Sequence, residues 1–509
     1  MPVPELIWVR SNRSQGQRRN RLAETLRSAS IAGLFFFLFS FSGQAVGSGI
    51  FTYQKIHFTQ DGSPTGTPLV PNFVWDSCWW ALGNDDDGNI YAAVSNHLTY
   101  PNGNVAIFKY DPAQNKMTLV NDVRSVSTAA GNWLSTENQQ KVHTRLVRGA
   151  DGALYFATDD NSWGTLTDHR GTHIYALKNG VITDLSKTAT SYLNKSMQTV
   201  NGNIGVHVEN YGTISMEMTR GTPRLIYGIT YGDGYLYRLN LETGDIKMIA
   251  QTGKGYANGI IRNFAVDTNG NAYVPMRGTS NGDIRIYKYD NTGGTWGYTG
   301  KSYADNFLAG NEPDKSGWLM HVYSNTGDMV YFIAYDGKVY RFTFAAESLQ
   351  YLGILEPNPN PRVTNLILSG DKKHLYALLF RYAGINQNKF VDFNISTGQV
   401  TTIDSNIATY GTRDLIFGGL ARDKLRHAYM VGWQFANTSI GNIALFKINV
   451  EPPAKLAIRP VEGQIELEWN RDVLQQANDL SGSWVDMTDA ISPMLVQPMP
   501  PWGFFRLNW

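Results

Sequence analysis

The chain has 509 residues, too many for one ordinary compact domain unless a repeat carries it, and its formal net charge is only +1. Aromatics make up 12% and Gly contributes 50 residues, while charged residues are only 17%, a balance that favours many short strands joined by tight turns. It offers no basic stripe for nucleic acid, and a single cysteine, Cys78, excludes an intrachain disulfide and a Cys-based metal site.

The first thirty residues hold Arg10, Arg13, Arg18, Arg19, Arg21 and Arg27 against Glu5 and Glu24, and the apolar run Ile31–Phe41 follows. With small residues at Ala45–Gly47, this reads as a secretory signal over residues 1–47. The run falls short of the roughly 20 apolar residues a spanning helix needs, and an uncleaved anchor is the rival reading. Removing the leader's surplus of four positive charges leaves the remaining chain near −3.

From residue 48 to 450 one pattern recurs. An apolar strand leads to a turn rich in Gly with Asp or Asn, then an aliphatic residue and Tyr open the next strand. "GNDDDGNIYAAVSN", "VRGADGALYFATDD" and "FAVDTNGNAYVPMRG" are clear copies. Seven such copies, each of four strands, predict an all-β fold: a seven-bladed β-propeller. Phe51–Gln60 either closes the ring in the last blade or leads freely into the first. "NDDDGN" (84–89) reads as a blade turn and not a calcium loop, because the terminal bidentate acid and flanking helices are missing.

"EPPA" (451–454) marks a break before a small β-rich C-terminal module over residues 451–509. Leu456–Ile458, Ile465–Trp469 and Val485–Met487 read as its strands. Leu474-Gln475, Leu480/Gly482/Trp484, Ser492-Pro493 and Phe504–Leu507 resemble the pattern of a module found on many secreted bacterial proteins. That resemblance implies export and surface sorting, not chemistry.

In a propeller, residues at the start of each innermost strand converge on one mouth of the central channel, as do residues just after each second strand. The first set is Trp79, Trp80, His143, Tyr211 (with His207 upstream), Arg262, Trp318 or His321, Arg362 and Arg413. The second is Asp159, Tyr231, Arg277, Arg381 and Trp433. Guanidinium forks suit carboxylate or sulfate, and flat aromatic faces suit sugar rings, so the lining fits an acidic polysaccharide. The chemistry that suits it is β-elimination at a uronic acid, with a cation neutralising the uronate, a base taking the adjacent proton and an acid protonating the leaving oxygen. Hydrolysis wants two facing carboxylates, and the set holds one.

Blades two and three, "KVHTRLVRGADGALYFATDD" and "HVENYGTISMEMTRGTPRLIYGITYGDGYLYRLNLETG", resemble the seven-bladed propeller polysaccharide lyases that include ulvan lyases. The resemblance implies catalytic roles for His143 and Tyr211, with the neutralising Arg at Arg262 or Arg277. His207, Tyr231, Arg277, His321, Arg413 and Trp80 are the substrate-binding candidates. The family often carries a His where this chain has Asp159, a departure that removes one ligand of any metal held there. His169 and His173 flank a loop whose spacing suits a metal only on a helix, so no metal and no cofactor is expected. The expected substrate is a uronate polysaccharide, sulfated or not, the expected protein a secreted or surface monomer. A non-catalytic propeller binding glycan or protein is the alternative. A redox propeller fits less well, lacking a Cys pair and a metal cage.

Overall fold

In the computed structural model the described residues are 7–10, 52–63, 65–70, 73, 77–78, 80–96, 98, 102–160, 170–253, 260–278, 282–305, 315–355, 362–380, 389–404, 415–416, 419–433, 443–449, 456–461, 464–469, 473–477, 485–487, 494–496 and 502–508. They fall into two compact units, one within Phe51–Val450 and one formed by Glu451–Trp509 together with the N-terminal segment. The proposed leader, apart from residues 7–10, lies outside the described residues.

The larger unit contains, among the described residues, seven antiparallel sheets of four or five strands in chain order, besides three two-stranded pairings. Blade 1 runs Leu82–Asn84, Ile90–Ser95, Val105–Asp111, Lys116–Asp122. Blade 2 runs Val147–Arg148, Leu154–Ala157, Ile174–Lys178, Val181–Asp184, and blade 3 runs Thr213–Met218, Leu225–Thr230, Tyr235–Asn240, Ile246–Gln251. Blades 4 to 6 begin at Ala265–Val266, Met320–Tyr323 and Arg362–Leu368 and repeat the same four-strand meander. Blade 7 takes its outermost strand from the start of the unit: Thr52–His57 pairs with Ile443–Asn449, from Thr52 opposite Asn449 to His57 opposite Ala444. The N-terminal strand therefore closes the ring, which settles the two readings of Phe51–Gln60.

Packing completes the circle. Apolar side chains of blades 7, 1 and 2 form one cluster, and further clusters join blades 2 and 3, 3 and 4, 4 and 5, 5 and 6, and 6 and 7. Inner strands such as Ile90–Ser95 and Thr213–Met218 are buried at every position, while outer strands such as Ser348–Ile354 are exposed or half-buried throughout. A blade has two apolar faces and cannot bury both alone, so ring closure supplies the second partner. The fold is a β-propeller.

The Tyr of the repeat has a specific partner. Asp267 Oδ1 accepts from the backbone of Asn269 and Asn271 at 2.9 and 2.8 Å, and its Oδ2 accepts from the Tyr273 hydroxyl at 3.4 Å. The same clasp joins Asp85 to Tyr91, Asp151 to Tyr155 and Asp423 to Tyr429. Each carboxylate fixes a turn and satisfies a phenol that the next strand buries. "NDDDGN" is one of these turns. Replacing Asp267 with Ala strands those donors and should lower unfolding stability by about 1–3 kcal/mol in a denaturant titration.

The smaller unit has one sheet of Leu456–Val461, Gln464–Trp469 and Met494–Val496, and another in which Trp502–Asn508 lies between Ile7–Arg10 and Val473–Ala477, with Val485–Asp486 beyond. Leu467, Trp469, Leu474 and Phe505 form its core. Leu474 and Phe505 belong to the C-terminal pattern read from the sequence. No described helix is long and apolar enough to cross a membrane.

Candidate functional site

Two inserted segments shape the junction of blades 2 and 3. The short strand Gln139–Lys141 pairs with Asp159–Asp160, which directly follows the second strand of blade 2, placing Lys141 opposite Asp159. Two residues on, His143 Nδ1 meets Asp159 Oδ2 in a short hydrogen bond. Asp159 is held from the other side, where the Thr213 N–H donates to its Oδ1 at 3.0 Å. Gly212 makes this possible: a Cβ there would sit 2.0 Å from Asp159 Oδ1. The Tyr-Gly signature opening blade 3 is thus a packing requirement as well as a way to present Tyr211.

The backbone then fixes the phenols. The Asp160 N–H donates to the Tyr211 carbonyl at 2.7 Å, and the Tyr231 N–H donates to the Gly212 carbonyl at 2.8 Å. The His143 ring stacks on Tyr231 with centroids 5.3 Å apart and planes 9° apart, and Tyr211 lies against Tyr231 with centroids 5.0 Å apart and planes tilted by 31°. His143 is 4% exposed and Asp159 fully buried, while both tyrosines are half-buried. A buried dyad therefore lies under a partly open aromatic shelf.

The cations come from neighbouring strands. Burial pushes the His143 imidazole below its ordinary value, Lys141 and Arg262 act in the same direction, and Asp159 opposes them. The ring is therefore neutral near pH 7. Because an ionised carboxylate only accepts, Nδ1 carries the hydrogen and Nε2 keeps its lone pair. Burial likewise lowers the Lys141 ammonium, against Asp159 and with help from Arg262. Arg262 is half-buried, and its Nη1 is buried with no hydrogen-bond partner among the described residues. Arg262 and His143 line a cavity of about 10 Å³ with Trp80, Arg145 and Glu217.

Of the residues picked from sequence, the structure thus brings together His143, Tyr211, Tyr231, Asp159, Arg262 and Trp80. His321 sits farther along the channel, 2% exposed, with Nε2 3.3 Å from Glu217 Oε1 and Nδ1 3.1 Å from Asn263 Oδ1. Arg277 closes the second strand of blade 4 opposite Ile284 and is not among the charges that act on His143. His207 is not on the rim: it is 3% exposed, its Nδ1 lies 3.0 Å from Ser186 Oγ, and it borders the buried His173–Asp184 pair. His173 is buried between Glu137 Oε1 at 2.7 Å and Asp184 Oδ2 at 3.0 Å, a structural position. Trp318 stacks on Phe332 in the core between blades 4 and 5. Trp79, His169, Arg381 and Arg413 lie outside the described residues, as do the side chains of Arg362 and Trp433. Among the described residues no group of three or more His, Cys, Asp or Glu is arranged to hold a metal ion.

Sequence reasoning passed over Lys141, Arg145 and Glu217. For the last two the signal was present: a Glu inside "TISMEM" and an Arg in "HTRLV" are charges in segments otherwise built for burial.

No family model and no curated protein matches the chain. Among solved structures it is similar to the Myceliophteria thermophila Cps50 (Swd1) β-propeller domain, at 8% identity and a TM-score of 0.45, over 75% of this chain and 100% of that one. The fold assignment stands on the closed circle of sheets described above.

Proposed function

We propose that the protein is a secreted polysaccharide lyase that cleaves a uronate-containing polymer, ulvan-like in chemistry, by β-elimination. The observation that carries this reading is the His143–Asp159 dyad, with its imidazole neutral, beside the half-buried Tyr211 and an Arg262 Nη1 that has no hydrogen-bond partner among the described residues. The guanidinium of Arg262, aided by Lys141, neutralises the uronate carboxylate and so acidifies the proton on the adjacent ring carbon. His143 Nε2 takes that proton. The C–H pair becomes the ring C=C bond as the glycosidic C–O bond breaks, and the Tyr211 hydroxyl protonates the leaving oxygen. The step is redox-neutral and needs no water. Tyr231 supplies the flat face on which His143 rests and a surface for the sugar. The basic, apolar start of the chain supports export.

The depth of His143 favours a second reading, in which the tyrosines and cations bind glycan without cleaving it. Incubation with a panel of acidic polysaccharides, followed by absorbance of the unsaturated uronate product, separates the two. Product from at least one polymer is expected. Binding with no product on any polymer would leave the second reading standing.

A further inference from the structure

The propeller channel contains a second cluster of charges that the reaction above does not use. Arg145, two residues past His143, points its Nη2 to Asn263 Oδ1 and Met320 Sδ, each at 3.2 Å. Its Nη1 lies 3.9 Å from Glu217 Oε1, beyond hydrogen-bond range. Glu217 is taken up by His321 at 3.3 Å and by the Tyr323 hydroxyl, 3.4 Å from Oε2. These groups cross the channel between blades 2, 3, 4 and 5 and separate the small cavity at His143 from a much larger one.

That larger cavity, about 440 Å³, is lined by Arg145, Arg148, Glu217, Arg220 and Tyr323 together with Asn84 and the backbone near Gly83 and Gly149. Its cations are unevenly satisfied. Arg148 pairs with Asp86. Arg220 lies over the Tyr323 ring, 3.9 Å from the centroid, with no carboxylate in ion-pair range among the described residues. Stacking on a ring face leaves the edge of a guanidinium, with its N–H donors, available. With Arg148 neutralised by Asp86, which is not part of the cavity wall, Arg145 and Arg220 face the single carboxylate that lines it, Glu217, leaving one positive charge in excess. Glu217 stays ionised: burial opposes its charge, but His321, Arg145 and Arg220 outweigh that and hold its pKa below the ordinary value.

We infer that this end of the channel is a separate binding site for a small hydroxylated monocarboxylate of sugar-acid size. A surplus of one charge matches a monoanion. The planar edge of Arg220, with the Arg145 guanidinium lining the same wall, matches a carboxylate, and Glu217 and Asn84 supply partners for hydroxyls. The inference is independent of the reading of the His143 mouth.

Calorimetric titration of the full chain with sodium gluconate, and with sorbitol as its uncharged counterpart, tests it. Gluconate should bind and sorbitol should not. Arg220→Ala, a substitution at an exposed position, should weaken gluconate binding at least tenfold, whereas Arg262→Ala at the other mouth should leave it within about twofold. Absence of gluconate binding overturns the proposal, as does binding that is lost with Arg262→Ala and kept with Arg220→Ala. Inorganic phosphate that displaces gluconate at equal concentration overturns the assignment of a carboxylate ligand.

Discussion

Asp159→Asn should abolish nearly all product formation while leaving the fold and polysaccharide binding in place. The carboxylate does no chemistry itself. It accepts from His143 Nδ1 and from the Thr213 N–H, and so fixes which imidazole nitrogen keeps its lone pair. An asparagine amide can donate to Nδ1 instead, which moves the ring hydrogen to Nε2 and removes the base. The expected fall in kcat/KM is about 10²–10⁴-fold, the usual worth of a positioned acid or base. His143→Gln should give a similar loss and still donate to Asp159, so that the buried carboxylate keeps a partner. Tyr211→Phe should lose activity with KM nearly unchanged. The pH profile adds an independent readout: because burial, Lys141 and Arg262 hold His143 below its ordinary value, the acid limb of kcat/KM should fall below pH 6.5. Full activity in both the Asp159→Asn and Tyr211→Phe proteins would remove the proposed mechanism.

The repeat was legible because it obeys a local rule. A turn carboxylate, a Gly and a strand Tyr recur within a few residues, and the Asp–Tyr clasps show that the spacing has a mechanical cause. Strand periodicity then sent His143, Tyr211 and Tyr231 to the same mouth. The partnerships within that mouth were not legible. Asp159 stood out as the lone carboxylate of the rim and as a departure from the lyase pattern, yet pairwise geometry alone shows that it belongs to His143. His207 misled for the same reason: its place near Tyr211 in the sequence says nothing about the hairpin of Ser191–Leu193 and Thr199–Asn201 that folds beside it. Arg145 and Glu217 meet across blades 2 and 3, and no spacing within one blade encodes that contact.

His173→Ala should be the most destabilising single change away from the candidate site. The imidazole lies wholly buried between Glu137 and Asp184, and Asp184 also accepts from Ser127 and Asn132, both at 2.7 Å. Burial by itself disfavours the imidazolium, but the two carboxylates outweigh it and raise the pKa to about 9, while Asp184 is drawn down to about 2. Removing the cation leaves two buried carboxylates facing one another, with Arg170, 3.4 Å from Glu137, as the ion-pair partner left to them among the described residues, at a cost of about 3–5 kcal/mol. The pH dependence carries a sign that identifies the group. His173 holds its proton in the folded state up to about 9 but releases it near 6.5 when unfolded, so its contribution is complete below pH 6.5 and declines as the pH rises toward 9. That loss amounts to about 3 kcal/mol, because each tenfold difference in proton affinity between the folded and unfolded chain is worth about 1.4 kcal/mol. Neighbouring His207 acts in the opposite sense: burial lowers it to about 4, so its contribution is complete above pH 6.5 and declines as the pH falls toward 4. The wild-type melting temperature should therefore peak near pH 6.5. In His173→Gln it should be lower throughout and should lose the alkaline slope between pH 6.5 and 9 while keeping the acid one. An unchanged alkaline slope in that variant would mean that the imidazolium between Glu137 and Asp184 is not what holds these segments together.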